Sequence, residues 1–244
     1  MDSPTAAPRL LKFRSGHPTA PSILRFYGSD GKSLLSAAQG DRAVRLTSVV
    51  RDARSAEISQ GPGLAKKSAS LSQPAAALKL PPVTRLSAST TRARDWDNLL
   101  TAHKDEPFAR TWTVNNMRLG QHVFAVPKKD DATRGAVTAV HVSPCGNFGI
   151  AGTANGVVAV WSMQSGLFRR TYTLPEPPAV RRGVPATRSI SGLASDTLNR
   201  TIVASTLDGQ LVVRLAVCSC DILRSRNGDS FSISTLVRCR RRST

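Results

Sequence analysis

Along most of the chain, apolar positions come in short runs of about five residues, separated by polar or glycine-bearing turns. Runs of that length, rich in Val, Ile, Leu and Ala, predict strands rather than helices. The pattern also repeats. "VTAVHVSPCGNFGIAGTANGVVAVW" (137–161) lies over "ISGLASDTLNRTIVASTLDGQLVVR" (190–214) without a gap at an offset of 53, so that Ala151 meets Ala204, Thr153 meets Thr206 and Gly156 meets Gly209. Each copy reads as a short strand, a polar turn, a strand of small and β-branched residues, a glycine turn and a further strand. Residues 157–161 alternate as strands do, with period two.

A shift of 49 in the other direction sets Trp112 on Trp161, Thr101 on Ile150 and Ala102 on Ala151. It turns "NLLTAHKDEPFARTW" into strand, turn and strand, and puts the charged cluster 103–106 in the connecting hairpin turn. An earlier copy covers 16–48, where "SDGK" (29–32) occupies the turn that "SPCG" (143–146) occupies later. The expected fold class is therefore all-β, with about four antiparallel units. One unit spans 9–53 and three more span 83–217. Residues 54–80, rich in Ser, Ala, Pro and Gly and carrying Lys66-Lys67, read as a flexible basic linker too polar to join a core. Residues 218–244 read as a disordered basic tail.

Composition sharpens this picture in two ways. Only 5% of the residues are aromatic, so the cores must rest on aliphatic side chains. The formal net charge is +18, which is extreme for a cytosolic enzyme and points to a polyanionic neighbour such as RNA or DNA. The blander alternative is an uneven surface with a basic tail. That tail holds six Arg against Asp229 from residue 224 on, yet most of the excess remains without it. Four Cys and four His show no metal-ligand spacing, so no metal and no cofactor are expected. The first residues lack the apolar run of a secretory signal, and no apolar stretch approaches a membrane span; no membrane partner and no small-molecule substrate are expected.

Candidate chemistry is sparse. "GSDGKS" (28–33) invites a phosphate-loop reading, but Phe26 stands where that motif needs glycine, and the turn reading is the better one. Asp95, Asp97, Asp105 and Glu106 could be paired acid–base carboxylates, but nothing nearby supplies a nucleophile and its base, so no catalytic residues are expected. Trp112 and Trp161 could stack on bases; their matched places at strand ends favour blade cores. Trp96 and Asp97 find no place in the pattern. The linker pairs Lys66-Lys67 and Arg181-Arg182 are the candidate RNA or partner contacts, because flexible cations in loops can follow a phosphate backbone. A solvated rim is the alternative.

Four-stranded units with Gly-His near the start, an aspartate in a turn and Trp closing the third strand resemble WD40 blades. Gly16-His17 supplies one clear Gly-His, Asp41 and Asp208 sit in the expected turn, and Trp161-Ser162 replaces the usual Trp-Asp. The strings "KLPPVTRL", "RDWDNLLTAHKDEPFARTW", "RLGQHV", the 137–172 run and "DTLNRTIVASTLDGQL" further resemble the tandem-propeller WD40 subunits of the UTP-B part of the small-subunit processome, from about residue 9 to 213. The resemblance implies a WD40-like β-propeller fragment of about four blades, too few for ordinary closure, with His17, Asp41, Asp208, Trp112 and Trp161 as structural residues of blade cores. It also implies a non-catalytic scaffold in small-subunit ribosome biogenesis, supporting 18S pre-rRNA processing in the nucleolus. Its partners would be other UTP-B or processome proteins, with pre-rRNA or U3 snoRNA nearby. A generic WD40 interaction adaptor, such as a ubiquitin-ligase substrate receptor, is the rival reading. An open arc leaves hydrophobic end faces, so the isolated chain is expected to be marginal or prone to aggregate.

Overall fold

The computed structural model describes residues 16–61, 63–74, 76–126, 135–174, 188–215 and 235–237. The described chain is almost entirely strand. It forms four separate four-stranded antiparallel sheets, each a meander of consecutive strands, and these do not close on one another. Sheet one holds β1 (Pro21–Tyr27), β2 (Ser33–Ala38), β3 (Val44–Ser48) and β4 (Ala56–Glu57). Sheet two holds β5 (Val83–Ala88), β6 (Leu99–His103), β7 (Phe108–Thr113) and β8 (Arg118–Ala125). Sheet three holds β9 (Val137–Val142), β10 (Phe148–Thr153), β11 (Val157–Ser162) and β12 (Phe168–Thr173). Sheet four holds β13 (Ile190–Ser195), β14 (Thr201–Thr206), β15 (Leu211–Leu215) and β16 (Thr235–Val237). The first strands lie toward a common axis, and β1, β5, β9 and β13 together line one cavity of about 470 Å³. This is the radial arrangement of propeller blades.

The offset of 53 between the third and fourth units matches their pairing: Gly149 faces Trp161 as Ile202 faces Arg214. The offset of 49 needs a correction. Trp112 pairs with Leu99, whereas Trp161 pairs with Gly149. The turn between β6 and β7 is one residue longer than that between β10 and β11, so Thr101 corresponds to Ala151, not Ile150. The longer turn also keeps His103 at the end of β6, where it is buried, and leaves only Lys104, Asp105 and Glu106 of the charged cluster in the turn. The "GSDGKS" stretch is the β1–β2 turn, with Gly28 and Gly31 at positive φ.

Every residue of β11 is buried, because an inner strand of a middle blade has neighbouring blades on both faces. One further expectation changes. Residues 54–80 are not a plain flexible linker. They supply β4, the fully buried Ile58 and the helix α1 (Leu64–Leu71). Lys79 reaches Glu57 at 2.5 Å, Leu80 N–H donates to Gln60 Oε1 at 2.8 Å, and Arg42 Nη1 donates to the Ala77 carbonyl at 3.0 Å. These bonds tie the segment back onto the first blade. Within the expected disordered tail, Thr235–Val237 pairs with β15 as the outer strand of sheet four. The rest of 218–244, and residues 127–134, lie outside the described residues.

The cores sit between blades. Leu35, Val44 and Ile58 of the first blade meet Leu99, Trp112 and Val114 of the second. Phe124, at the outer strand of the second blade, stacks on Trp161 of the third, with ring centroids 5.1 Å apart and planes 2° from parallel. Gly149 makes this stack possible, since a Cβ there would come 2.6 Å from the Phe124 ring and 2.8 Å from the Met163 sulfur. Burying one such side chain stabilises the fold by roughly 1.5–3 kcal/mol.

Candidate functional site

Three polar sets lie inside or between blades; the first two tie a loop to a strand and the third joins two strands. In the first blade the Asp41 carboxylate can only accept, so His17 donates from Nδ1 at 2.7 Å; Nε2 then accepts the Ser36 hydroxyl at 2.8 Å. This is the geometry of a serine nucleophile, its base and an orienting acid. Ser36 is buried in the middle of β2, however, and its hydroxyl closes the blade rather than facing a cavity. In the second blade, Trp112 Nε1–H donates to Thr101 Oγ1 at 2.7 Å, the Thr101 hydroxyl donates to His103 Nε2 at 3.0 Å, and His103 Nδ1–H donates to the Pro81 carbonyl at 2.6 Å. Here a backbone carbonyl occupies the aspartate's place. Burial holds the His103 pKa below its ordinary value; the Pro81 hydrogen bond acts against this, and the Arg110 charge adds to it.

Between the third and fourth blades, Ser195 N–H donates to His141 Nε2 at 3.1 Å, and the Ser195 hydroxyl lies 2.9 Å from the same nitrogen. Burial lowers the His141 pKa as well. Trp161 has no threonine at the place corresponding to Thr101, and serves as a stacking partner instead. Asp208 does not belong to a blade core. It is exposed in the β14–β15 turn and accepts only from Thr206 Oγ1, because its unit has no Gly-His to draw the carboxylate inward.

The segment 92–98, between β5 and β6, binds three blades at once. Asn98 Nδ2 donates to Tyr27 of the first blade at 2.6 Å, and Asn98 Oδ1 accepts from Val114 N–H at 3.1 Å. Asp97 is buried and accepts from Thr111 Oγ1 at 2.6 Å, Thr113 Oγ1 at 2.6 Å and Gln121 N–H at 2.9 Å. Gly120 is what lets it in, as a Cβ there would clash with the Asp97 carboxylate. Trp96 Nε1–H donates to the Gly146 carbonyl of the third blade, and Arg92 lies over the indole, 5.5 Å from its centroid. Arg92 in turn pairs with Asp95 at 3.2 Å. The four carboxylates of the 94–112 stretch are thus not a shared acid–base site: two are in a turn, one is paired and one is buried.

This segment roofs a polar cleft of about 420 Å³ between the second and third blades. Its walls carry Arg94, Asn116, Arg118, Gln121 and His122 from the second blade, and Gln164 from the β11–β12 turn of the third. His122 is fixed by its ring: Nε2 lies 3.2 Å from the Gln164 carbonyl, and the imidazole stacks on Phe124. Arg94 and Arg118 are exposed and form no ion pair with a described residue. The cleft therefore offers two free cations and several amide groups, each able both to donate and to accept. Such a set can hold an anionic ligand that also carries hydrogen-bonding edges. No group of three or more His, Cys, Asp or Glu is gathered tightly enough for a metal ion among the described residues.

The cleft was not legible in the sequence, because its walls come from two blades and from loops without a motif of their own. Of the contacts expected from sequence, Lys66 and Lys67 are exposed on α1, away from the cleft. Arg181 and Arg182 lie outside the described residues.

Comparison with known proteins places this geometry. The sequence pattern described as the WDR36/Utp21 second beta-propeller domain matches residues 22–224. The U3 small nucleolar RNA-associated protein 21 homolog of Schizosaccharomyces pombe is 42% identical over 210 residues, covering 86% of this chain and 22% of that protein. U3 small nucleolar RNA-associated protein 21 of Saccharomyces cerevisiae is 36% identical over 202 residues, covering 83% of this chain and 20% of that protein. Human WD repeat-containing protein 36 is 33% identical over 216 residues, with 86% and 22% covered. The chain spans about a fifth of the length of these relatives.

Proposed function

The chain belongs to the WDR36/Utp21 family, and from that premise we propose that it is a non-catalytic scaffold in small-subunit ribosome biogenesis. It acts within the small-subunit processome, in the nucleolus, and supports 18S pre-rRNA processing. Its partners are other UTP-B proteins, with pre-rRNA or U3 snoRNA alongside. The observation that carries this reading is the match over residues 22–224, together with relatives named for their association with U3 small nucleolar RNA. Two features support it. The net charge of +18 suits a polyanionic particle. Among the described residues, the triad with catalytic geometry, His17–Ser36–Asp41, has its serine buried and its hydrogen bonds spent within the blade.

The test is to express the tagged chain in its native cell and measure what co-purifies. Enrichment of U3 snoRNA and unprocessed 18S precursors over bulk RNA is the expected result. Recovery of ubiquitin-ligase subunits with no RNA enrichment would replace this reading with the adaptor one.

A further inference from the structure

We propose that the cleft between the second and third blades is a contact site for single-stranded RNA, with Arg94 and Arg118 on the phosphates and the amides of Asn116, Gln121 and Gln164 on base edges. This rests on the ribosome-assembly reading and assigns it a surface. The choice of ligand class follows from what the cleft offers and what it has already used. Its carboxylates are spent: Asp97 accepts three hydrogen bonds from its own blade and Asp95 pairs with Arg92. Arg94 and Arg118 keep their charge free among the described residues. Two unpaired guanidiniums, beside acids already engaged by other partners, favour an anion, and the planar fork of each matches phosphate geometry.

The amides decide between anions. An acidic peptide would use the two arginines and leave three primary amides facing its backbone without selectivity. A nucleobase presents donors and acceptors side by side, which an amide answers with its own pair. Base edges are reachable in this way only when the strand is unpaired, because the groove of an RNA duplex that carries most base information is too narrow for side chains. A cavity of about 420 Å³ also suits a small group entering from one side rather than a duplex lying across it. Trp96 is not a stacking platform here, since Arg92 covers its ring. His122 is held in place against Phe124 and by the Gln164 carbonyl, and gives the cleft a fixed wall.

The site differs from the one the basic sequence pairs suggest. Lys66 and Lys67 sit on a surface helix and do not line the cleft, and an exposed charge pair on a helix attracts any polyanion.

The experiment titrates a fluorescent mixed-sequence single-stranded RNA 12-mer with the full chain at several salt concentrations. The variants are Arg94→Gln/Arg118→Gln, Asn116→Ala/Gln121→Ala and Lys66→Gln/Lys67→Gln, each first checked for an unchanged thermal melt. The arginine pair should weaken binding and reduce the slope of log affinity against log salt by about 1.4, the loss of two single-strand phosphate contacts. The amide pair should weaken binding while leaving the salt slope as it is. A wild-type slope and affinity in both cleft variants would overturn the proposal, as would an Asp/Glu-rich peptide or duplex RNA that binds the cleft as tightly as the single strand. Either failure leaves the scaffold reading to stand or fall on its own co-purification test.

Discussion

The indole of Trp96 donates a 2.9 Å hydrogen bond to the carbonyl of Gly146, fifty residues away and on the next blade. Gly146 caps the β9–β10 turn at φ 76°, and a Cβ there would press on Arg92 at 3.1 Å. The same arginine covers the Trp96 ring. A tryptophan outside any strand thus ties the second blade to the turn of the third, at the edge of the polar cleft.

Replacing Trp96 with Phe keeps most of the ring but removes the donor. The expected loss is about 1 kcal/mol, the net worth of one such bond. Urea unfolding followed by far-ultraviolet circular dichroism measures it, and an unchanged midpoint would mean that the bond contributes nothing.

Trp112 and Trp161 end equivalent strands, yet they should respond differently to Phe. Trp112→Phe removes the donor to Thr101 Oγ1, leaving that buried hydroxyl its bond onward to the His103 side, and should cost roughly 1–3 kcal/mol. Trp161→Phe retains an aromatic face against Phe124 and should cost less. Side-by-side melts of the two variants decide the order.

Gly149→Ala places a methyl between Phe124 and Met163. Both are buried and held by the Trp161 stack, so neither can yield freely. Overpacking of this kind costs typically about 1–3 kcal/mol. The combined Gly149→Ala/Met163→Ala chain should lose less than the two single losses added together, because each change partly relieves the other, and thermal melting of the three variants tests this.

Stability should fall on acidification below the ordinary histidine value of 6.5. His103 and His141 are both depressed in the fold by burial, so the unfolded chain takes up protons first as pH drops. Their contribution is complete above the unfolded value and is lost as pH falls toward the folded ones. Protonating His141 also ends its acceptance of Ser195 N–H. Urea midpoints between pH 7.5 and 5 should drop, and His103→Asn should flatten the curve. A midpoint that rises on acidification would contradict the assignment.

On β1, Leu24 and Phe26 are 56% and 69% exposed, Leu24 on the cavity that the first strands share and Phe26 beside it. Apolar side chains on a terminal blade of an open arc favour self-association. Light scattering of the purified chain should rise with concentration, and Leu24→Glu/Phe26→Lys should suppress the rise without lowering the melting temperature.

The repeat pattern was readable in the residues because it is local. In each blade consecutive strands pair with one another, so a gapless match at 53 residues already carried the pairing of β14 with β15. Trp112 lies near the end of a third strand, a position set by the same local pattern. His103 was misplaced because a one-residue difference in turn length shifts every residue on the far side, and no pattern of apolar positions records it. Asp208 carried the motif but lacked the histidine that would have buried it. Asp97 looked like surface chemistry until Gly120, Thr111 and Thr113 surrounded it.

The chain's own residues thus determined the strands, the number of sheets and their antiparallel order, since period, turn glycines and β-branched content act within a few positions of one another. Only the tertiary structure decided which blades touch, which side chains those contacts bury, and that Arg94, Arg118, Gln121 and Gln164 share one cleft. The physical reason is distance along the chain: Trp96 and Gly146, or His122 and Gln164, meet only after two blades have formed and packed, and no local preference encodes that meeting.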